Sequence, residues 1–148
     1  MTTITIEEIL AEWKIDSVID ESKLNHEIIK TSNLHSKYIG YFMHFKRKFA
    51  AADAKMNKMA WQKRKYFRGE MDKSDLIKHG WSQYNGLKPS STELNQLLDF
   101  DSDMNDLKMI VSDYKTAVSC IEYILSQVKD RGYAMKNLVD YQRFMDGG

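Results

Sequence analysis

Residues 22–68 read SKLNHEIIKTSNLHSKYIGYFMHFKRKFAAADAKMNKMAWQKRKYFR, and this stretch decides the fold. It contains no proline and one glycine, Gly40. Leu24, Ile28, Thr31, His35, Tyr38, Phe42, Phe45, Phe49, Ala52, Met56 and Met59 follow one another at alternating spacings of four and three. That pattern is the seam of a heptad-patterned helix, with Thr31 and His35 as its polar positions. Gly40 lies off the seam and costs about 1 kcal/mol, too little to stop a helix so strongly patterned. Gly69 supplies the expected stop, so the reading predicts one basic helix over about 22–68.

The rest of the chain fits the same class. Of 148 residues, 43% are hydrophobic, 7 are glycine and 1 is proline. Average usage would give roughly ten glycines and seven prolines, so the main breaker of helices is nearly missing. We expect an all-α fold and a single helical domain over residues 1–148. Thr5 and Glu8 form a capping box that starts a helix at Ile6, ending near Lys14. Residues 70–104 read as a connector, punctuated by Gly80, Asn85-Gly86 and Pro89. Within it, Ser90 and Glu93 cap a short helix through Leu98. Asp99, Asp101, Asp103 and Asp106 favour the positive end of the next helix. That helix is predicted over about 105–130. Leu107, Val111, Tyr114, Val118, Ile121, Leu125 and Val128 form its core or oligomerisation stripe, widened by Ile110, Ala117 and Ile124. Gly132 reads as its end. Ala134, Leu138, Tyr141 and Met145 then suggest a short final helix, carrying the core and oligomerisation region to about 146.

Several chemistries find no support. The alternating aspartates lack the Gly and Glu an EF-hand needs at its sixth and twelfth positions, where Met104 and Ile110 stand. His26, His35 and His44 are spaced nine apart, a rotation of about 900° that points successive members to opposite sides, so they share no metal. No glycine loop ending in Gly-Lys-Ser/Thr and no glycine-flanked serine elbow occurs. We therefore expect no catalytic residues, no cofactor and no metal. Cys120 sits on an apolar helical face and reads as a core residue in a reducing, cytoplasmic setting. No apolar run is long enough to span a membrane.

A helix over 22–68 would be about 70 Å long, and one over 105–130 only about 39 Å. The second cannot cover the seam of the first, so the reading expects long helices in an oligomeric helical assembly.

Net charge is +1, but its distribution is uneven. Residues 37–68 hold ten basic groups and one acid, Asp53, whereas residues 1–36 and 69–148 each carry a net −4. Such a block is an electrostatic footprint for a polyanion. Its end, Trp61 to Gly69, packs four cations and three aromatics into nine residues. Cations neutralise phosphates, and rings stack on unpaired bases that a duplex would hide. The candidate nucleic-acid-binding residues are Lys55, Lys58, Trp61, Lys63, Arg64, Lys65, Phe67 and Arg68. Two readings compete: a structural coiled-coil or scaffold oligomer whose basic block is only a solvated face, and a duplex DNA or RNA regulator, for which no helix-turn-helix, zinc or RNA-recognition signature occurs.

Three stretches resemble the UvsY family of phage recombination mediators. They are Val18–Leu24 with Ser36-Lys37-Tyr38, then Tyr66-Phe67-Arg68-Gly69, then Asp130–Lys136 with Arg143-Phe144. The family's central motif is a Lys-x-Arg pair ahead of two tyrosines and a glycine; the matching positions here hold Trp61 and Lys63, then Tyr66, Phe67 and Gly69. The resemblance implies a non-enzymatic, single-stranded-DNA-binding mediator in the host-cell cytoplasm. It would help a RecA-like recombinase load onto DNA covered by single-strand-binding protein. It also implies a ring-shaped homo-oligomer of about six or seven subunits.

Overall fold

The computed structural model describes residues 3–147. Among these there are five α-helices, one short 3-10 turn (Glu21–Lys23) and no strand. The helices are α1 (Ile6–Asp16), α2 (Leu24–Phe67), α3 (Lys73–His79), α4 (Ser91–Phe100) and α5 (Ser102–Met145).

Local chemistry sets several of these boundaries. The Thr5 hydroxyl accepts from the Glu8 amide at 3.2 Å, and the Glu8 carboxylate accepts from the Thr5 amide at 3.1 Å. Ser90 and Glu93 repeat the box at the start of α4. Gly69, at φ 72°, ends α2: its amide donates to the Tyr66 carbonyl, and the Glu70 amide reaches the Lys65 carbonyl. That paired arrangement needs a left-handed residue, which glycine adopts without steric cost.

Three expectations are corrected. First, α5 does not end near residue 130, and no separate final helix follows. It is one helix of 44 residues, equal in length to α2. Gly132 costs about 1 kcal/mol inside a helix, which the burial of its neighbours outweighs. Arg131, Val128 and Met135 are all buried on one face of α5, while Ala134, Tyr141 and Met145 are exposed. The length mismatch that motivated an oligomer therefore does not exist. Second, the connector contains α3, capped by Asp72, whose carboxylate accepts from the Asp75 amide at 2.9 Å. Seven residues with only Leu76 buried are too few to show a period. Third, the seam of α2 is displaced near its start. Ile28 and His35 are exposed, and Glu27 and Leu34 are buried in their place. From Tyr38 to Met59 the expected seam positions are buried or half-buried.

Among the described residues packing gathers into two compact units, one comprising those up to Lys46 and from Lys115 onward, the other Arg47–Tyr114. In the first, Ile9, Tyr38, Ile121, Ile124, Val128 and Met135 are each at most 2% exposed. In the second, Phe67, Leu94, Leu98 and Met104 form the core, flanked by Met56, Met59, Ala60 and Leu97. Of the stripe predicted for α5, Leu107, Val118, Ile121 and Val128 are buried inside the chain, and Val111, Tyr114 and Leu125 are half-buried. Cys120 is also half-buried, with a free thiol.

Arg131 explains the displaced seam. Its Nη2 pairs with the buried Glu27 carboxylate. Its Nε donates to Thr31 Oγ1 at 3.1 Å. Its Nη1 donates to the carbonyls of Asp16, Ser17 and Val18 at 3.3, 3.0 and 3.5 Å. One side chain on α5 thus holds two residues of α2 and the carbonyl end of α1. Nearby, Asp16 accepts from Lys37 at 2.6 Å and from the Tyr38 hydroxyl at 2.9 Å. Burial opposes ionisation of Asp16, but the hydrogen bonds from Lys37 and Tyr38 outweigh it and hold the carboxyl below its ordinary value.

Two outcomes follow. Arg131→Met should lose about 3–5 kcal/mol in urea unfolding, because Glu27 is left buried and unpaired. Adding Glu27→Met should restore part of that loss, though not the contacts to the carbonyls of residues 16–18; a single variant as stable as wild type contradicts the assignment. For Asp16, a carboxyl depressed in the folded state stabilises fully above its unfolded pKa and loses that contribution as pH falls through the folded one. Wild-type stability should therefore drop on acidification below about pH 4. Asp16→Asn should be less stable at neutral pH and flatter across that range, whereas parallel curves would refute the Asp16 account.

Candidate nucleic-acid interface

The last six turns of α2 carry two faces. The inward face continues the seam through Met56, Met59, Ala60, Lys63 and Phe67, all buried or half-buried. The outward face follows the same four-three alternation in the opposite direction: Arg47, Ala51, Ala54, Lys58, Trp61, Lys65, Arg68. All of these are exposed except Lys65, which is half-buried. At about 100° per residue, Lys55 and Arg64 fall roughly 80–100° to either side of this line. Both are exposed.

This geometry divides the predicted site. Lys55, Lys58, Trp61, Arg64, Lys65 and Arg68 share the outer side of the helix. Lys63 and Phe67 turn inward, away from that side. Phe67 belongs to the core with Leu94, Leu98 and Met104. Lys63 is 5% exposed and already neutralised. Its Nζ lies 3.1 Å from Asp101 and 2.9 Å from Asp103, at the start of α5. The Trp81 ring centroid is 4.2 Å from the same nitrogen, a cation–π contact in a largely desolvated site. The physical reason is register: residues 63 and 67 fall seven and eleven positions after Met56, on the core side of the helix.

Around Lys63 the aromatic side chains form a connected set. Tyr66 meets Phe67 at 5.3 Å, Trp81 at 5.3 Å and Tyr84 at 5.8 Å between centroids. Its hydroxyl donates to the Ser82 carbonyl at 2.6 Å. His79 stacks on Trp81 at 4.4 Å with 18° between planes. Asp101 also accepts from the Met104 amide at 3.0 Å, so one carboxylate starts α5 and holds Lys63. These contacts fix the rotation of α2 about its own axis, and with it the direction of the outer stripe.

On that stripe Trp61 is 60% exposed, and the Lys65 ammonium lies 4.1 Å from its ring centroid. Arg47, which is not among the predicted residues, is exposed three turns before Lys58 on the same line, at an eleven-residue spacing. Among the described residues no group of His, Cys, Asp or Glu is placed to hold a metal ion, and no helix is long and apolar enough to cross a membrane.

The division of roles has a measurable consequence. Lys63→Met should destabilise the protein by about 1–3 kcal/mol, because it leaves Asp101 largely buried without its cation. Arg64→Ala and Arg68→Ala should change stability by no more than about 0.5 kcal/mol. Equal thermal midpoints for all three variants would contradict the inward placement of Lys63.

The comparisons with known proteins agree with this architecture. A sequence profile described as "Recombination, repair and ssDNA binding protein UvsY" matches residues 12–148. No curated protein sequence matches. Crystal structures of the bacteriophage T4 recombination mediator protein UvsY are similar in fold. Lattice type IV gives a TM-score of 0.83 at 20% identity, covering 95% of this chain and 99% of that one. Lattice type II gives 0.83 at 22% identity, covering 99% and 100%. The profile match extends from within α1 to the last residue, and on that ground the chain belongs to the UvsY family of recombination, repair and single-stranded-DNA-binding proteins.

Proposed function

We propose that this protein binds single-stranded DNA along the outer stripe of α2 and acts as a recombination mediator. It helps a RecA-like recombinase load onto DNA covered by single-strand-binding protein. The observation that carries the reading is the stripe itself. Arg47, Lys58 and Arg68 present cations about 15 Å apart along the path of a strand, with Lys55 and Arg64 on the flanks. Trp61 offers an exposed ring among them. Phosphate contacts give affinity without sequence preference, and base stacking requires unpaired bases. Together they select single strands of any sequence, which suits a protein that acts wherever single-stranded DNA is exposed.

The proposal includes self-association, on different grounds from a length mismatch. Tyr123, Tyr133, Tyr141 and Phe144 are exposed on α5. Apolar and aromatic groups clustered along one helix are the usual mark of a protein contact. Several copies of one stripe on a single strand would bind far more tightly than one. A strand held at several points is also harder for a competing single-strand-binding protein to keep. The protein in this reading positions DNA and proteins and catalyses no reaction of its own.

Fluorescence anisotropy with an oligo-dT at several salt concentrations tests the interface. Each phosphate contact should contribute about −0.7 to the slope of log affinity against log salt. Replacing Arg47, Lys58 and Arg68 together by alanine should flatten the slope by about 2 and weaken all sequences alike. Trp61→Ala should cost about 1–3 kcal/mol with the slope unchanged. An unaltered affinity and slope in the triple variant would leave the basic block a solvated face and favour the scaffold reading. For the mediator step, the wild-type protein should shorten the lag before a recombinase hydrolyses ATP on DNA precoated with single-strand-binding protein. The triple variant should not.

A further inference from the structure

Trp61 is the largest side chain on the outer stripe, and it is 60% exposed. No other aromatic ring is paired with it among the described residues; its contact is the Lys65 ammonium, 4.1 Å from the ring centroid. Lys65 is correspondingly half-buried, whereas Lys58, Arg64 and Arg68 are exposed. Residues four apart on a helix lie one turn above each other, so this contact is made within α2 and needs no other element. An indole has two faces. A cation seated on one of them covers that face and limits rotation about the side-chain bonds.

We propose that Lys65 is the positioning residue of the DNA interface and that the single-strand phosphates are held by the other cations. Its ammonium holds the Trp61 ring in one orientation, with one face closed and the opposite face presented to an unpaired base. An exposed ring without such a partner would sample several rotamers, and stacking a base would first cost their loss. The cation also sits against the negative face of the ring quadrupole, which is the geometry of an attractive cation–π pair. Lys65 therefore acts through Trp61, whereas Arg47, Lys58 and Arg68 act on phosphates directly. This inference rests on the proposed single-stranded-DNA function and assigns a distinct task within it.

The two roles separate in a double-mutant cycle on oligo-dT binding. Lys65→Met keeps the apolar stem and removes the charge. As a positioning residue, it should weaken binding about two- to fivefold in the wild-type background, with the salt slope unchanged. In the Trp61→Ala background the same change should have no effect, because there is no ring left to orient. Lys65→Arg should restore wild-type affinity, since a guanidinium also stacks on an indole. A second readout needs no DNA. The Trp61 contribution to fluorescence, taken as the difference between each protein and its Trp61→Phe counterpart, should become more accessible to acrylamide in Lys65→Met and return in Lys65→Arg. If Lys65→Met instead flattens the salt slope by about 0.7 in both backgrounds, Lys65 is a phosphate contact and the proposal is overturned. Equal acrylamide accessibility in Lys65→Met and wild type overturns it as well. Failure of the underlying function looks different: the Arg47, Lys58 and Arg68 triple variant and Trp61→Ala would both bind oligo-dT as wild type does.

Discussion

The guanidinium of Arg131 is the constraint on which the first unit depends. A buried charge is costly unless every donor is used, and this one is used on three sides. Glu27 supplies the countercharge, Thr31 a hydroxyl, and Asp16, Ser17 and Val18 their carbonyls. Those carbonyls lie at the end of α1, where the helix dipole is negative and a cation is welcome. Three helices are thereby held at one point by a side chain that hydrophobic packing alone would exclude. The arrangement specifies geometry more than it adds stability, since an apolar cluster of the same volume could be as stable. It fixes which face of α5 turns inward past residue 128, and so carries that helix through Gly132.

A smaller polar centre does the corresponding work in the second unit. Lys63 is the one cation of the 61–68 segment that turns inward. Asp101 and Asp103 take up its charge, and Trp81 covers it. This pairing sets the rotation of α2, with Trp61, Lys65 and Arg68 on the side away from the core. The consequence for function is a sorting of like residues by angle. Residues 63, 64 and 65 are adjacent cations in the sequence, yet one is structural, one sits on the flank and one lies beneath an indole ring.

α2 and α5 are equally long, and this changes the logic of association. When one helix is assumed short, the seam of the other demands a partner chain. With 44 residues in each, the predicted stripe of α5 is largely taken up by the chain's own core. Tyr123, Tyr133 and Tyr141 of α5 and the cations of the α2 stripe other than Lys65 are left exposed.

The sequence by itself determined the helical class, both capping boxes, the stop at Gly69 and the seam from Tyr38 to Met59. It also located the basic-aromatic segment. These are local properties: dihedral preferences, side chains reaching three residues back, and a period read along one helix. The tertiary structure decided what depends on partners remote in the chain. Glu27 is inside because Arg131, more than a hundred residues later, is inside with it, and no period along α2 contains that fact. Gly132 continues a helix because residues on either side of it are buried against other elements. Lys63 and Phe67 are buried because the seam runs on past Met59 and meets α4 and the start of α5. Lys65 differs from its neighbours only once its ammonium is seen over Trp61. Composition counts charges, but only the packed helix gives each of them a direction.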